Sequence, residues 1–380
     1  MVIRKYCSCE TCDKKYVIRY GVGDSYPQQA SFFCKNCGEK LVFGIDKERK
    51  FFNENLKIIE ENTDSEVINL HPEILISNED SSDPYHFATL NFMREQQLRG
   101  DFSLEQLRQA QYSILAYNEE WLKISKDLRF VKEKRFNLVN GKYGKNDNVI
   151  TKRVIKKALL ISRIFLSGPW KNLYSKSILE LEKAEKVNGF SEFKDYLESN
   201  VDKFIDSLYD VMSDFEKVKS EMLTTLIPQK CGKPISGLTS TVEWDKIEKV
   251  YGDLYERYGG LVVVLTGINN LITRGKYDEF STSGFTFTNY LQSDKANRCK
   301  NFETNANLSD FNLFFDASIR NGTHHKNSKI DKEKQEIILG TGKGGKTEKK
   351  LNFSEYIEHC NELFARSYMM LNLAFKIIYG

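Results

Sequence analysis

Apolar residues along this chain follow two regimes. Before residue 45 they come in short runs, Tyr16-Val17-Ile18, Ser31-Phe32-Phe33 and Leu41-Val42-Phe43, which predict strands, with Gly38 placed for a tight turn. From residue 85 onward the period becomes helical. Ser103-Leu104-Glu105-Gln106 has the form of a capping box, and Leu107, Ala110, Ile114, Tyr117, Trp121 and Ile124 follow at helical spacing. A second helix is predicted through Val154, Ala158, Ile161 and Phe165, ending at Gly168-Pro169. Between Ser191 and Pro228, the residues Leu197, Val201, Phe204, Leu208, Val211, Phe215, Val218 and Met222 alternate four and three apart. Such a heptad stripe is either a dimer seam or the buried face of one long helix. The e and g charges are not clearly complementary, which favours the second.

The last third reads as helix again. Ile247, Val250, Leu254, Tyr255 and Tyr258 mark one helix, and Leu261 to Ile272 continues or follows it before Gly275. Ser309 is placed to cap another, through Phe311, Phe314 and Phe315 to Ile319, and Ser354 opens the last, through Ile357, Phe364, Met370 and Phe375. Gly340-Thr341-Gly342-Lys343-Gly344-Gly345-Lys346-Thr347 matches a phosphate-loop pattern. Its context predicts instead a Gly-rich hairpin joining Gln335–Leu339 to Lys349–Phe353, because no helix signal follows Thr347. The fold class expected is mainly α: a multi-helix bundle with a small N-terminal β ribbon. The expected domains are a ribbon at 1–45, an acidic connector at 46–84, a helical domain at 85–240 and a second helical domain at 241–380 with a hairpin near 335–353.

Composition adds limits. At 380 residues the chain is long enough for two or three cores, and 40% hydrophobic with 29% charged residues excludes a disordered chain. No stretch reaches the roughly 20 apolar residues of a membrane helix, and the first residues carry no signal-peptide core, so a cytoplasmic location with no membrane partner is expected. The net charge of +3 hides a strong local asymmetry. Residues 46–83 hold eleven acidic and four basic side chains, whereas 121–176 hold fifteen basic and three acidic, with Phe130, Phe136, Tyr143, Trp170 and Tyr174 interleaved. That concentration of cations fits a nucleic-acid partner. The competing reading, which the interleaved aromatics place second, is a solvated face balanced by the acidic stretch 177–225.

Thiols stay reduced in the cytoplasm, so cysteine spacing is read first as metal chemistry. Five of eight cysteines fall in the first 37 residues. Cys9-x-x-Cys12 and Cys34-x-x-Cys37 form two knuckles separated by enough chain for a hairpin, and four thiolates in a tetrahedron suit a structural Zn²⁺. Cys7 is an alternative to Cys9, although it would break the two-residue spacing. Four sulfurs leave no open position for catalysis, and a ribbon of this size is expected to draw its folding energy from the metal.

The remaining chemistry is concentrated near residue 320, where Arg320 precedes His324 and His325. A guanidinium presents a fork of donors to phosphate oxygens, and imidazole exchanges protons near neutral pH. Arg320-Asn321-Gly322-Thr323-His324-His325 resembles the signature of the HEPN superfamily: an Arg, a following polar residue that is commonly Asn, and a His after four to six intervening residues. His325 fits that spacing and His324 falls one short. The helices around the motif are similar to that family's up-and-down bundle over about the last 140 residues. The resemblance implies a metal-independent endoribonuclease in which two protomers form one cleft. In it His325 would act as general acid or base, Arg320 would stabilise the transition state, and Asn321 would position the pair. It also implies a homodimer acting on cellular RNA, tRNA included, as a toxin or antiviral-defence effector held in check by an inhibitor or awaiting an activator. The chain departs from the usual form at Gly322, a residue able to end the helix early, and in its doubled histidine, so His324 stays an alternate. The competing expectation is a non-catalytic module that binds nucleic acid or protein through ribbon and bundle.

Overall fold

The computed structural model describes residues 2–380 apart from 24–25, 92–93, 95–103, 162–164, 167, 169, 231–234, 236, 241, 325–327 and 342–346, with backbone alone for 104–116, 118 and 324. Short β-branched and aromatic runs form the strands β1 (Val2–Cys9), β2 (Lys15–Gly21), β3 (Gln28–Phe33), β4 (Lys40–Ile45), β5 (Phe51–Glu54), β6 (Leu56–Ile58), β7 (Glu66–Leu70), β8 (Ser328–Asp331), β9 (Glu336–Thr341) and β10 (Thr347–Asn352). The longer helices are α1 (Leu104–Lys132), α2 (Asp147–Ile161), α3 (Trp170–Ala184), α4 (Phe190–Ser199), α5 (Val201–Lys230), α6 (Val250–Leu261), α7 (Val263–Arg274), α8 (Ala317–His324) and α9 (Phe353–Tyr379). The chain is therefore mainly α with small sheets. No helix among the described residues is long and apolar enough to cross a membrane.

Two compact units divide it, and both are discontinuous in sequence. The first comprises 1–115, 218–248 and 325–361; the second comprises 116–217, 249–324 and 362–380. This differs from the contiguous division at 84 and 240 expected above, because the long helices α5 and α9 each begin in one unit and end in the other.

In the first unit the strands order as β6-β1-β2-β7, β3-β4-β5 and β10-β9-β8. The predicted ribbon strands lie within β2, β3 and β4. The acidic stretch 46–84 is not a connector. It supplies β5, β6 and β7, and its Leu56, Ile68 and Leu70 join Tyr16, Ile18, Tyr20, Leu41 and Phe43 in one buried core. Charge count concealed this, since most of those acidic groups sit on exposed turns and ends while a few apolar residues do the packing. The ribbon therefore has more core than residues 1–45 alone would provide. At the Gly-rich segment, β9 pairs antiparallel with β10 and Thr341 faces Thr347. A strand, not a helix, follows the phosphate-loop pattern, and β8 extends the hairpin to three strands.

In the second unit the heptad stripe is buried in its own chain. Leu197, Leu208, Val211 and Phe215 are fully buried, and Phe215 meets Tyr117, Phe165 and Phe364 edge-on with ring centroids 4.9–5.3 Å apart. The single predicted helix is two, parted at Asn200, whose side-chain amide donates to the carbonyl of Tyr196 at 2.8 Å. The helix expected from Ser309 is also interrupted. Ser309–Asn312 is a 3-10 turn, Phe314 takes φ +67°, and α8 starts only at Ala317, where the Asp316 carboxylate accepts the Ser318 N–H at 2.7 Å. Gly275 ends α7 at φ +83°, where a side chain would be strained. Deeper in, Trp170 Nε1 donates to Glu362 at 3.0 Å, Arg366 pairs with the same carboxylate, and burial holds the Arg366 guanidinium down to about 10.

Candidate metal centre and arginine site

Four sulfurs converge in the first unit. The Sγ atoms of Cys9, Cys12, Cys34 and Cys37 all lie within 4.8 Å of one another, with Cys9 to Cys37 at 3.7 Å and Cys12 to Cys34 at 3.5 Å. A tetrahedral ion bound at about 2.3 Å requires sulfur separations of about 3.8 Å, so the cluster is compatible with a zinc site. The local fold explains the convergence. In each knuckle the first cysteine's carbonyl accepts the N–H four residues on, Asp13 and Gly38 at 3.0 and 2.8 Å, and both of these donor residues take positive φ, +56° and +72°. Each first cysteine's own N–H donates five residues on, Cys9 to Lys14 at 2.9 Å and Cys34 to Glu39 at 2.8 Å. One backbone scheme is thus used twice.

The tyrosine of β2 completes the setting. Tyr16 Oη donates to Cys34 Sγ at 3.2 Å and accepts the Lys35 N–H at 2.9 Å. Burial raises the Cys34 thiol, but the Tyr16 hydroxyl and the N–H groups of Cys37 and Asn36 outweigh it and hold it at about 6. Against the lowering by the Glu39 N–H, desolvation and the sulfurs of Cys12, Cys34 and Cys9 push Cys37 up to about 12. Four thiolates so close do not ionise together unless a cation offsets their repulsion. Cys7, the alternate ligand, is outside the cluster. It is fully buried within β1 opposite Tyr16 and Ile58, and burial pushes its thiol up to about 11.

The second unit holds Arg320 on α8. Three tyrosines spaced along α6 fix the chain leading into that helix. Tyr251 Oη donates to the carbonyl of Phe314 at 2.6 Å and accepts the Asp316 N–H at 2.8 Å, the Tyr258 hydroxyl donates to the carbonyl of Phe311, and Tyr255 stacks on Phe315 at 4.0 Å. With Ile319 fully buried beneath it, α8 presents Arg320 about a quarter exposed. Its Nε and Nη2 both reach Glu256 Oε1 of α6, at 3.1 and 3.0 Å, and Nη1 donates to Asn321 Oδ1 at 3.0 Å. Lys295 pairs with the other Glu256 oxygen. Burial alone would raise the Glu256 carboxyl, but Lys295 and Arg320 hold it below the ordinary carboxylate range.

Gly322 does not end the helix, which runs on to His324. His325 and the side chain of His324 lie outside the described residues, so of the predicted catalytic group the structure brings together Arg320 and Asn321. Glu256 and Lys295 had no sequence signal, being single charges in unremarkable helical stretches.

The basic segment divides in two. Its first part is largely neutralised: Lys132 pairs with Asp210 at 2.6 Å, Lys134 with Asp202 at 2.6 Å, and Lys142 with Asp127. Asp202 and Asp210 belong to the acidic stretch expected to balance it. In its second part, Lys145 to Lys157 on and before α2 form no such pairs among the described residues, Arg153 donating to the carbonyl of Tyr143 at 2.7 Å instead, while Lys176 near its end pairs with Asp310 at 3.5 Å. Comparison with known proteins finds no matching family model, no matching curated protein and no matching solved structure.

Proposed function

We propose that the chain is a metal-independent endoribonuclease of HEPN type, carrying a structural Zn²⁺ on Cys9, Cys12, Cys34 and Cys37. The observation that carries the nuclease reading is the pairing of Arg320 with Asn321 in the last turns of a helix that leads directly into His324 and His325. A neighbouring amide that fixes a guanidinium is what the motif's three roles require. In the proposed reaction the ribose 2′-oxygen attacks phosphorus, the 5′-oxygen of the next nucleotide leaves, and a 2′,3′-cyclic phosphate remains. His325, or His324 in its place, takes the 2′-hydroxyl proton or returns one to the leaving oxygen, and Arg320 stabilises the dianionic phosphorane. Two protomers contribute a motif each, RNA is the substrate, and a defence or toxin role in the cytoplasm follows with the same family reading.

One observation favours a second reading. Glu256 already takes two of the Arg320 donors, which suits a bundle that binds without cutting. Incubating wild type and the double variant His324→Ala/His325→Ala with total cellular RNA and with tRNA separates the two, and His325→Ala alone tells which histidine acts. Cutting by wild type alone supports the nuclease; equal cutting, or RNA retained intact by both, removes it.

A further inference from the structure

In the second unit, α2 and α9 leave a groove between them. Its volume is about 400 Å³, within the roughly 300–1,000 Å³ typical of ligand sites. Each helix contributes one stripe at helical spacing: Ile155, Leu159 and Leu160 from α2, Phe375 and Tyr379 from α9. Ile155 and Phe375 are buried as the floor, and the rings of Phe375 and Tyr379 lie nearly parallel, 6.1 Å apart. Leu160 remains 45% exposed at the lip.

The rim carries one sign of charge. Lys152, Lys156 and Lys376 line it, and no acidic side chain does among the described residues. Lys156 and Lys376 are exposed and make neither an ion pair nor a hydrogen bond among the described residues, while Lys152 donates to the carbonyl of Tyr379 at 2.6 Å. Lys152 and Lys156 belong to the part of the basic segment that no carboxylate among the described residues neutralises, and three lysines without such a partner around a mostly apolar trough favour an anionic partner.

We propose that this groove receives an amphipathic helix of a partner protein, its apolar face on the floor and acidic residues against the three lysines. The floor selects the form of the partner. The Asn372 amide donates to the carbonyl of Tyr368 at 2.8 Å, the side chains of Ile155, Leu159, Leu160, Leu166 and Phe375 carry no polar atom, and the hydroxyls of Tyr174 and Tyr379 are the polar side-chain groups besides the lysines. A nucleobase or an extended strand would bring more donors and acceptors into that trough than two tyrosine hydroxyls can meet, and burying them unpaired disfavours it. A helix satisfies its own backbone and presents only side chains. The α2 stripe from Lys152 to Leu160 spans about 12 Å, room for two turns of such a helix packing along the groove.

A synthetic helical peptide with Leu at i, i+3 and i+7 and Glu on both flanks is the probe, read by fluorescence anisotropy on the full chain. Wild type binds it, Leu160→Asp weakens binding at least ~10-fold, and the double variant Lys156→Glu/Lys376→Glu weakens it severalfold, with the loss shrinking as salt rises. Leu160, Lys156 and Lys376 are exposed, so circular dichroism should show both variants folded. Absence of binding by wild type, or equal binding by Leu160→Asp, overturns the proposal. So does displacement of the peptide by oligouridine with loss of oligouridine binding in the lysine variant, which gives the groove to RNA. A wild-type dimer dissociated by Leu160→Asp gives it to a second copy and also overturns the proposal.

Discussion

The cysteine cluster and the Arg320 cluster were both announced by motifs of six residues or fewer, yet they differ in how far the fold delivers them. At the cysteines, two turns with the same hydrogen bonds bring four sulfurs to metal-binding separations, and the other groups nearby, Tyr16 Oη and backbone N–H, support sulfur instead of competing with a cation. At Arg320, the guanidinium expected to face phosphate is bound by Glu256, 64 residues earlier in the chain. A spacing motif fixes its geometry when the turn that spaces the residues also aims them. It does not when the side chain is long and free to pair with whatever carboxylate the tertiary fold supplies.

The largest effect should come from the metal. Apparent zinc binding free energies of ~10–16 kcal/mol rival the whole stability of a domain, ~5–15 kcal/mol. Cys34→Ser is therefore expected to lose the ion and the cooperative unfolding of the first unit; one zinc per chain by metal analysis of wild type and none in the variant is the expected result. A stable, cooperative Cys34→Ser protein would remove the difference between the two regions.

Glu256→Gln sharpens the comparison from the other side. Replacing the carboxylate by a neutral amide removes the charge and weakens the hold on two guanidinium donors, so RNA affinity is expected to rise a few-fold, measured by filter binding. The pH dependence has a definite sign. A carboxyl depressed in the folded state stabilises above its unfolded pKa, and that stability is lost as pH falls through the folded value. The gap in melting temperature between wild type and Glu256→Gln should therefore be open near neutrality and close below the ordinary carboxylate range.

The smallest effect is expected at Cys7. Cys7→Ala should leave zinc content unchanged and cost about 1 kcal/mol for a buried sulfur, by urea titration. Loss of the ion in that variant would restore the alternate ligand set.

Much of the ribbon could be read from sequence because its strands are short and bounded by the knuckles. The Gly340–Thr347 pattern was readable as a hairpin because no helix signal followed it. The contribution of β5, β6 and β7 was not, since Leu56, Ile68 and Leu70 are isolated apolar residues in an acidic background and their burial depends on pairing with β1, β2 and β4. The break between α4 and α5 at Asn200 left no mark on the heptad stripe, because Leu197 and Phe204 stay buried on both sides of it. At the arginine site, Asn321 was legible as a neighbour in sequence, whereas Glu256 and Lys295 meet Arg320 only through tertiary packing.

The central claim is attack by the ribose 2′-hydroxyl at the Arg320 motif. Its most direct test uses zinc-loaded protein in buffer freed of other divalent ions, with an RNA that wild type cuts and the same RNA carrying a single 2′-deoxy residue at the cut. The account predicts cyclic phosphate ends on the first and no cut at that position in the second. Cutting that persists at the 2′-deoxy position, or no RNA cut at all, would contradict it.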